Sequence, residues 1–129
     1  MQINIEVSCG ELIDKMTILS IKSEKIKDKN KVKNINKEFN LLEEIADTLK
    51  NKNVDKFKTF YDQLKRVNSE LWDIEDQIRI LEKNKDFGDN FIQLARNVYI
   101  YNDKRFQIKN EVNDFFSSSI KEEKQYEKY

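Results

Sequence analysis

The sequence has no histidine, no proline, a single cysteine and only two glycines in 129 residues. Each shortage excludes something. Without histidine, and with Cys9 alone, one subunit can hold no Ser-His-Asp triad, no Cys-His nucleophile, no Cys/His zinc set and no internal disulfide. Without proline, and with only Gly10 and Gly88, there is little of the turn chemistry that sheets and irregular loops require. Long apolar runs are missing as well, and the N-terminus carries no charged-then-apolar pattern. No membrane span or Sec signal is therefore expected, and the cytoplasm is the expected location. Nor is there an excess of charge: 24 basic and 24 acidic residues interleave to a net charge of zero. A broad electropositive face for nucleic-acid phosphates or anionic membranes is not expected from that balance.

What is present suits helices. Hydrophobic residues make up 38% and charged residues 37%, the balance of long helices with one buried stripe and solvated outer faces. Eight Phe, five Tyr and Trp72 disfavour disorder. The length fits one domain, residues 1–129, with a modest core. Lysine outnumbers arginine 20 to 4, so Arg66, Arg79, Arg96 and Arg105 are either chance retentions or positions that need a planar, bidentate donor.

The order of elements follows from periodicity. Residues 2–7 alternate polar and apolar (Ile3, Ile5, Val7) like a short strand with nothing obvious to pair with. Ser8-Cys9-Gly10-Glu11 is a capping box, so a first helix starts near Cys9; its stripe Leu12, Met16, Leu19 and Ile26 is widened by Ile13, Ile18 and Ile21 toward more than one neighbour. Asp28-Lys29-Asn30 ends it. A second helix over residues 32–49 carries Val32, Ile35, Phe39, Leu42, Ala46 and Leu49 at three-four spacing. Asn53 is placed to cap a long third helix with seam positions Phe57, Phe60, Leu64, Val67, Leu71, Ile74, Ile78 and Leu81. After a turn at residues 84–89, a fourth helix over residues 90–116 repeats the spacing with Phe91, Leu94, Val98, Tyr101, Arg105, Ile108, Val112 and Phe115. The last two seams match in antiparallel register, Leu81 opposite Phe91 through to Phe57 opposite Phe115, which predicts a helical hairpin about 40 Å long. Ser119-Ile120-Lys121-Glu122 predicts a short C-terminal helix. The fold expected is all-α: a long antiparallel hairpin packed with two shorter helices, with part of its seam left for self-association.

One charged residue stands in that seam. Arg105 falls opposite Val67, among Leu64, Leu71, Tyr101 and Ile108, where a guanidinium needs a counter-charge. The first helix offers Glu11 or Asp14, the C-terminal segment Glu122 or Glu123; a bound anion or escape of the side chain toward solvent are the alternatives. A second cluster lies in residues 70–79, where Glu75 and Arg79 form an i,i+4 pair and Asp76 sits level with Arg96. Structural ion pairs account for this cluster; the sharper reading takes Glu11/Asp14 and Glu70/Asp73 as a Mg²⁺ site of the kind found in all-α nucleotide pyrophosphatases. Trp72 and Tyr99 flank the seam as core edge or as an aromatic wall for a base or sugar. Residues 25–33 form a lysine-dense solvated stretch.

The segments Gly10 to Ile26, Val67 to Arg79 and Phe91 to Arg105, with Lys109, Asn113 and Glu122 to Tyr126, resemble a small bacterial family, an uncharacterised domain of about this whole length. The resemblance implies no activity. It places Glu11, Asp14, Lys15, Asp73, Asp76, Arg79, Arg96, Asn102, Asp103 and Arg105 within the family motifs. It also implies a link to cell-surface polysaccharide assembly. Two readings follow. The first is a non-catalytic helical module that binds a protein partner or itself, with no cofactor. The alternative is a small-anion or nucleotide(-sugar) binder, or a Mg²⁺-dependent hydrolase, using Arg79, Arg96 and Arg105 with Asp73 and Asp76. An exposed apolar seam favours the first, and a polar cleft lined by those five residues the second.

Overall fold

The computed structural model describes all residues 1–129 as four helices: α1 (Cys9–Lys25), α2 (Lys29–Lys52), α3 (Val54–Lys83) and α4 (Asp89–Phe115). Their starts are chemically marked. Ser8 Oγ accepts from the Glu11 amide at 3.1 Å, Asp28 Oδ1 from the Asn30 and Lys31 amides, and Asn53 Oδ1 from the Lys56 amide at 2.9 Å. Each satisfies amides that a helix start leaves without partners. Asp28 therefore begins α2 rather than closing α1, which stops at Lys25, and the lysine-dense stretch is divided among the end of α1, the link at residues 26–28 and the start of α2.

Helices α3 and α4 form the long hairpin, and α1 lies across one half of it beneath α2. The position of α1 explains its composition. Gly10, Leu12, Ile13, Asp14, Met16, Thr17, Leu19 and Ile21 are all buried, because one side of the helix meets α2 and the other meets α3 and α4. Lys15 is exposed and bonds Glu38 of α2 at 3.0 Å, and Glu24 reaches Lys65 of α3 at 2.6 Å. The main core joins Leu12, Ile13 and Met16 to Ala46 and Leu49, then to Phe57, Phe60, Leu64, Val112 and Phe116. This core occupies only the end of the hairpin where α3 begins and α4 finishes, called the base below.

The two helices pack as an antiparallel pair, but at the base it is Phe60, not the expected Phe57, that meets Phe115 (5.9 Å), with Phe116 beside it (6.3 Å). Phe115, expected in the seam, is 43% exposed, and Phe116 takes the core place at 4% exposure. Toward the turn the seam thins. Ile78, Leu81, Phe91 and Leu94 are half-buried, while Ile80, Phe87 and Ile92 are 56%, 51% and 54% exposed. No third helix reaches this distal half.

The expected C-terminal helix does not form. Ser117 adopts φ 53°, its turn reverses the chain, and residues 119–129 run back along α4 without helix. Side chains hold this tail: Lys121 to Asp114 (3.2 Å), Glu122 to Lys109 (2.7 Å), Lys124 over Phe106 (5.0 Å), and the Tyr129 hydroxyl donating to Asp103 (2.6 Å). With Ile120 and Tyr126 40% and 78% exposed, the segment has no continuous apolar stripe to bury, and so short a helix is marginal without one. The N-terminal residues 1–7 are exposed and form neither the expected strand nor a helix.

Candidate functional site

Asp14 is the most buried charged group in the molecule, at 0% exposure. Its Oδ1 accepts from Arg105 Nε at 2.9 Å and from Asn68 Nδ2 at 2.8 Å, and its Oδ2 accepts from Arg105 Nη2 at 2.5 Å. Arg105 thus presents the two-pronged geometry that lysine cannot reproduce. Asn68 Nδ2 also donates to Thr17 Oγ1 at 2.9 Å, and the Thr17 hydroxyl donates to the Asp14 carbonyl at 2.7 Å. One carboxylate on α1 is therefore held by α3 and α4 together. The bond to Asp14 raises the Arg105 pKa, with burial acting in the opposite direction.

A second polar cluster lies one helical turn toward the base. Lys109, 6% exposed, donates to Glu11 Oε2 and Glu122 Oε2, both at 2.7 Å. Burial opposes its charge, yet the two carboxylates outweigh burial and raise its pKa above the ordinary value. Glu11 therefore serves Lys109 rather than completing the capping box. Beside it, the Gly10 amide donates to Asn113 Oδ1 at 2.7 Å. A Cβ on Gly10 would stand 2.6 Å from the Lys109 carbonyl oxygen, so only glycine admits this approach of α1 to α4. Asn113 Nδ2 is buried with no protein partner.

Where α1 ends and the bare hairpin begins, a groove of about 440 Å³ opens between α1, α3 and α4. Ile18, Ile21, Leu71 and Trp72 give it apolar walls; Asn68, Asn102, Glu75, Asp76, Arg79 and Arg105 supply the polar lining. Glu75 and Arg79 form the ion pair expected from their spacing. The ten residues anticipated from sequence thus divide. Asp76, Arg79, Asn102 and Arg105 line the groove, with Asp14 bonded to Arg105. Glu11 is in the Lys109 cluster, Lys15 faces α2, and Asp103 receives the tail. Asp73 and Arg96 are exposed and do not line the groove, and Tyr99 stacks edge-on with Tyr129 at 5.2 Å. Glu11 and Asp14 each face a cation while Glu70 and Asp73 are exposed, so these two acidic motifs do not converge on one metal position. Nowhere do three Asp, Glu or Cys groups gather into a candidate ligand set.

Thr17 is the residue that periodicity underused, whereas Asn68 is the polar neighbour that the hairpin register offers Arg105. Asn68 follows Leu64 by four and precedes Leu71 by three, and Thr17 lies midway between Ile13 and Ile21. Both spacings place a polar side chain on a buried stripe.

The sequence profile of a family of unknown function (DUF6165) matches residues 3–129. The chain belongs to that family. No curated protein and no solved structure matches it.

Proposed function

We propose that this DUF6165 chain is a non-catalytic helical module that self-associates through the distal half of its hairpin. The observation that carries the reading is the unfinished bundle there. At the base, α1 and α2 supply the cover that two paired helices need, whereas beyond Ile74 the seam residues Ile78, Leu81, Phe91 and Leu94 stay half-buried. Around them Ile80, Phe87 and Ile92 face solvent. Two helices cannot enclose a core, whereas four can, and two hairpin tips related by a two-fold axis would supply four helices from a single sequence. An isologous contact also suits a surface with no excess of either charge.

The balance of the groove supports this over the anion-binding alternative, because both arginines in it are already paired with carboxylates and two of the five residues that reading needs lie elsewhere. The family resemblance supports a setting in cell-surface polysaccharide assembly, where such a module would hold components together. The composition supports a cytoplasmic location.

Sedimentation equilibrium over a concentration series tests the proposal. The apparent mass of the wild-type protein should rise from 15.5 kDa toward twice that value. Ile80→Glu and Leu94→Glu should hold it at the monomer, and Ile45→Glu, on the exposed face of α2, should leave association intact. A wild-type protein that remains monomeric throughout, or association equally sensitive to Ile45→Glu, contradicts the proposal.

A further inference from the structure

The groove at the end of α1 has a charge balance of its own. Of its four lining charges, Arg79 is paired with Glu75, and Arg105 is neutralised from behind by Asp14. Asp76 forms no ion pair and is left over. The groove with its pairing carboxylates therefore carries one net negative charge, which disfavours a phosphate or carboxylate ligand and favours a cation. Two further features point the same way. Asn68, 6% exposed, spends its amide nitrogen on Asp14 and Thr17, and its Oδ1 accepts no hydrogen bond from the protein, leaving an acceptor in the lining. Trp72 contributes the indole, the aromatic side chain that attracts organic cations most strongly. Ile18, Ile21 and Leu71 complete an apolar wall, and the volume of about 440 Å³ is within the range of small-molecule sites.

We propose that this groove binds a small organic cation: an ammonium group directed at Asp76, an apolar body against Trp72 and the aliphatic wall, and the Asn68 carbonyl, about 12 Å along α3 from Asp76, open to a hydrogen-bond donor at the other end of the ligand. Asp76 and Arg79 lie beyond Ile74, beside the surface proposed for self-association, so this binding belongs to the monomer in dilute solution. No covalent chemistry is implied; the ligand is held by charge, one open carbonyl and apolar contact.

Trp72 is the only tryptophan, so its fluorescence reports on this groove alone. The test titrates dilute protein with three molecules of nearly one shape: cyclohexylammonium, cyclohexanol and cyclohexanecarboxylate. The expected result is a saturable change with the ammonium at millimolar concentration, binding at least about tenfold weaker for the other two, and a loss of about tenfold in ammonium affinity in Asp76→Asn, equivalent to about 1.4 kcal/mol. Asp62→Asn, exposed elsewhere on α3, should bind as wild type. Tighter binding of the carboxylate, no saturable change with any of the three, or unchanged affinity in Asp76→Asn would each overturn the proposal.

Discussion

The base and the tip of the α3/α4 hairpin share one heptad-like pattern and differ in everything packed around it. At the base, Leu64 and Val112 are fully enclosed because α1 lies over the seam; near the turn, Leu81 and Leu94 occupy equivalent seam positions and remain half-buried. The same spacing of apolar residues thus yields a core in one half and an open seam in the other. The lesson is that periodicity specifies which face a helix pairs with, whereas burial depends on whether a third element arrives. Polar chemistry follows the same division. The ion pairs with an enclosed member all join separate segments beside α1, as in Asp14 with Arg105 and Lys109 with Glu11, while toward the tip the pairs are exposed and local, as in Glu75 with Arg79 and Glu82 with Lys85.

The largest expected effect comes from breaking the enclosed pair. Asp14→Ala leaves Arg105 and Asn68 without their carboxylate acceptor and should cost about 3–5 kcal/mol in denaturant unfolding, whereas Arg79→Ala, removing an exposed i,i+4 pair, should cost no more than about 0.5 kcal/mol. Next, Leu64→Ala should cost about 2–5 kcal/mol, and Leu81→Ala in dilute protein clearly less, because it has less enclosed surface to lose. Equal costs at the two sites would erase the distinction. Gly10→Ala should destabilise by about 1–3 kcal/mol, since a Cβ would press on the backbone carbonyl of Lys109 and push α1 off α4. Thermal melting of that variant checks the close approach directly.

Alkaline titration isolates the Lys109 cluster. Its folded pKa lies above the ordinary 10.5, so the folded state holds this proton more tightly than the unfolded chain does. That contribution is fully present below the unfolded value and is lost as pH rises through the folded one. Lys109→Met should therefore be less stable than wild type at neutral pH, with the gap narrowing above pH 10.5; a gap that stays constant would mean that the ammonium is not the source. The smallest effect belongs to Glu24→Gln. Lys65 lowers the Glu24 pKa through a hydrogen bond and through charge, so the pair contributes above the unfolded carboxylate value and fades as pH falls through the folded one. Since the pair is solvent-exposed, the loss at neutral pH should stay below about 1 kcal/mol.

Much of this was legible in the residues. Asn53 as a cap, the antiparallel pairing of α3 with α4, and the need of Arg105 for a counter-charge all follow from spacing, since helices fix where side chains project. The choice of Asp14 over Glu11, Glu122, Glu123 or a bound anion does not follow, because it depends on the crossing of α1 over the hairpin, which separates neighbours in space from neighbours in sequence. The tail was misread for a related reason. Ser119 to Glu122 has the letters of a helix start, but residues beyond it lack an apolar face, and Glu122, Lys124 and Tyr129 find partners along α4 instead. The groove was only partly visible. Arg79 and Asp76 drew notice as charges, whereas Ile18, Ile21 and Leu71 looked like ordinary core, and only the point at which α1 leaves the hairpin turns them into a wall.

Amide hydrogen exchange along α3, measured at low and at high protein concentration, tests the central contrast most directly. Amides near Leu64 should be strongly protected at both concentrations. Those near Ile78 and Leu81 should exchange quickly in dilute protein and become protected as the concentration rises, when a second hairpin supplies the missing cover. Distal amides protected as well as the base in dilute protein, or unprotected at every concentration, would contradict an unfinished bundle completed by a second copy.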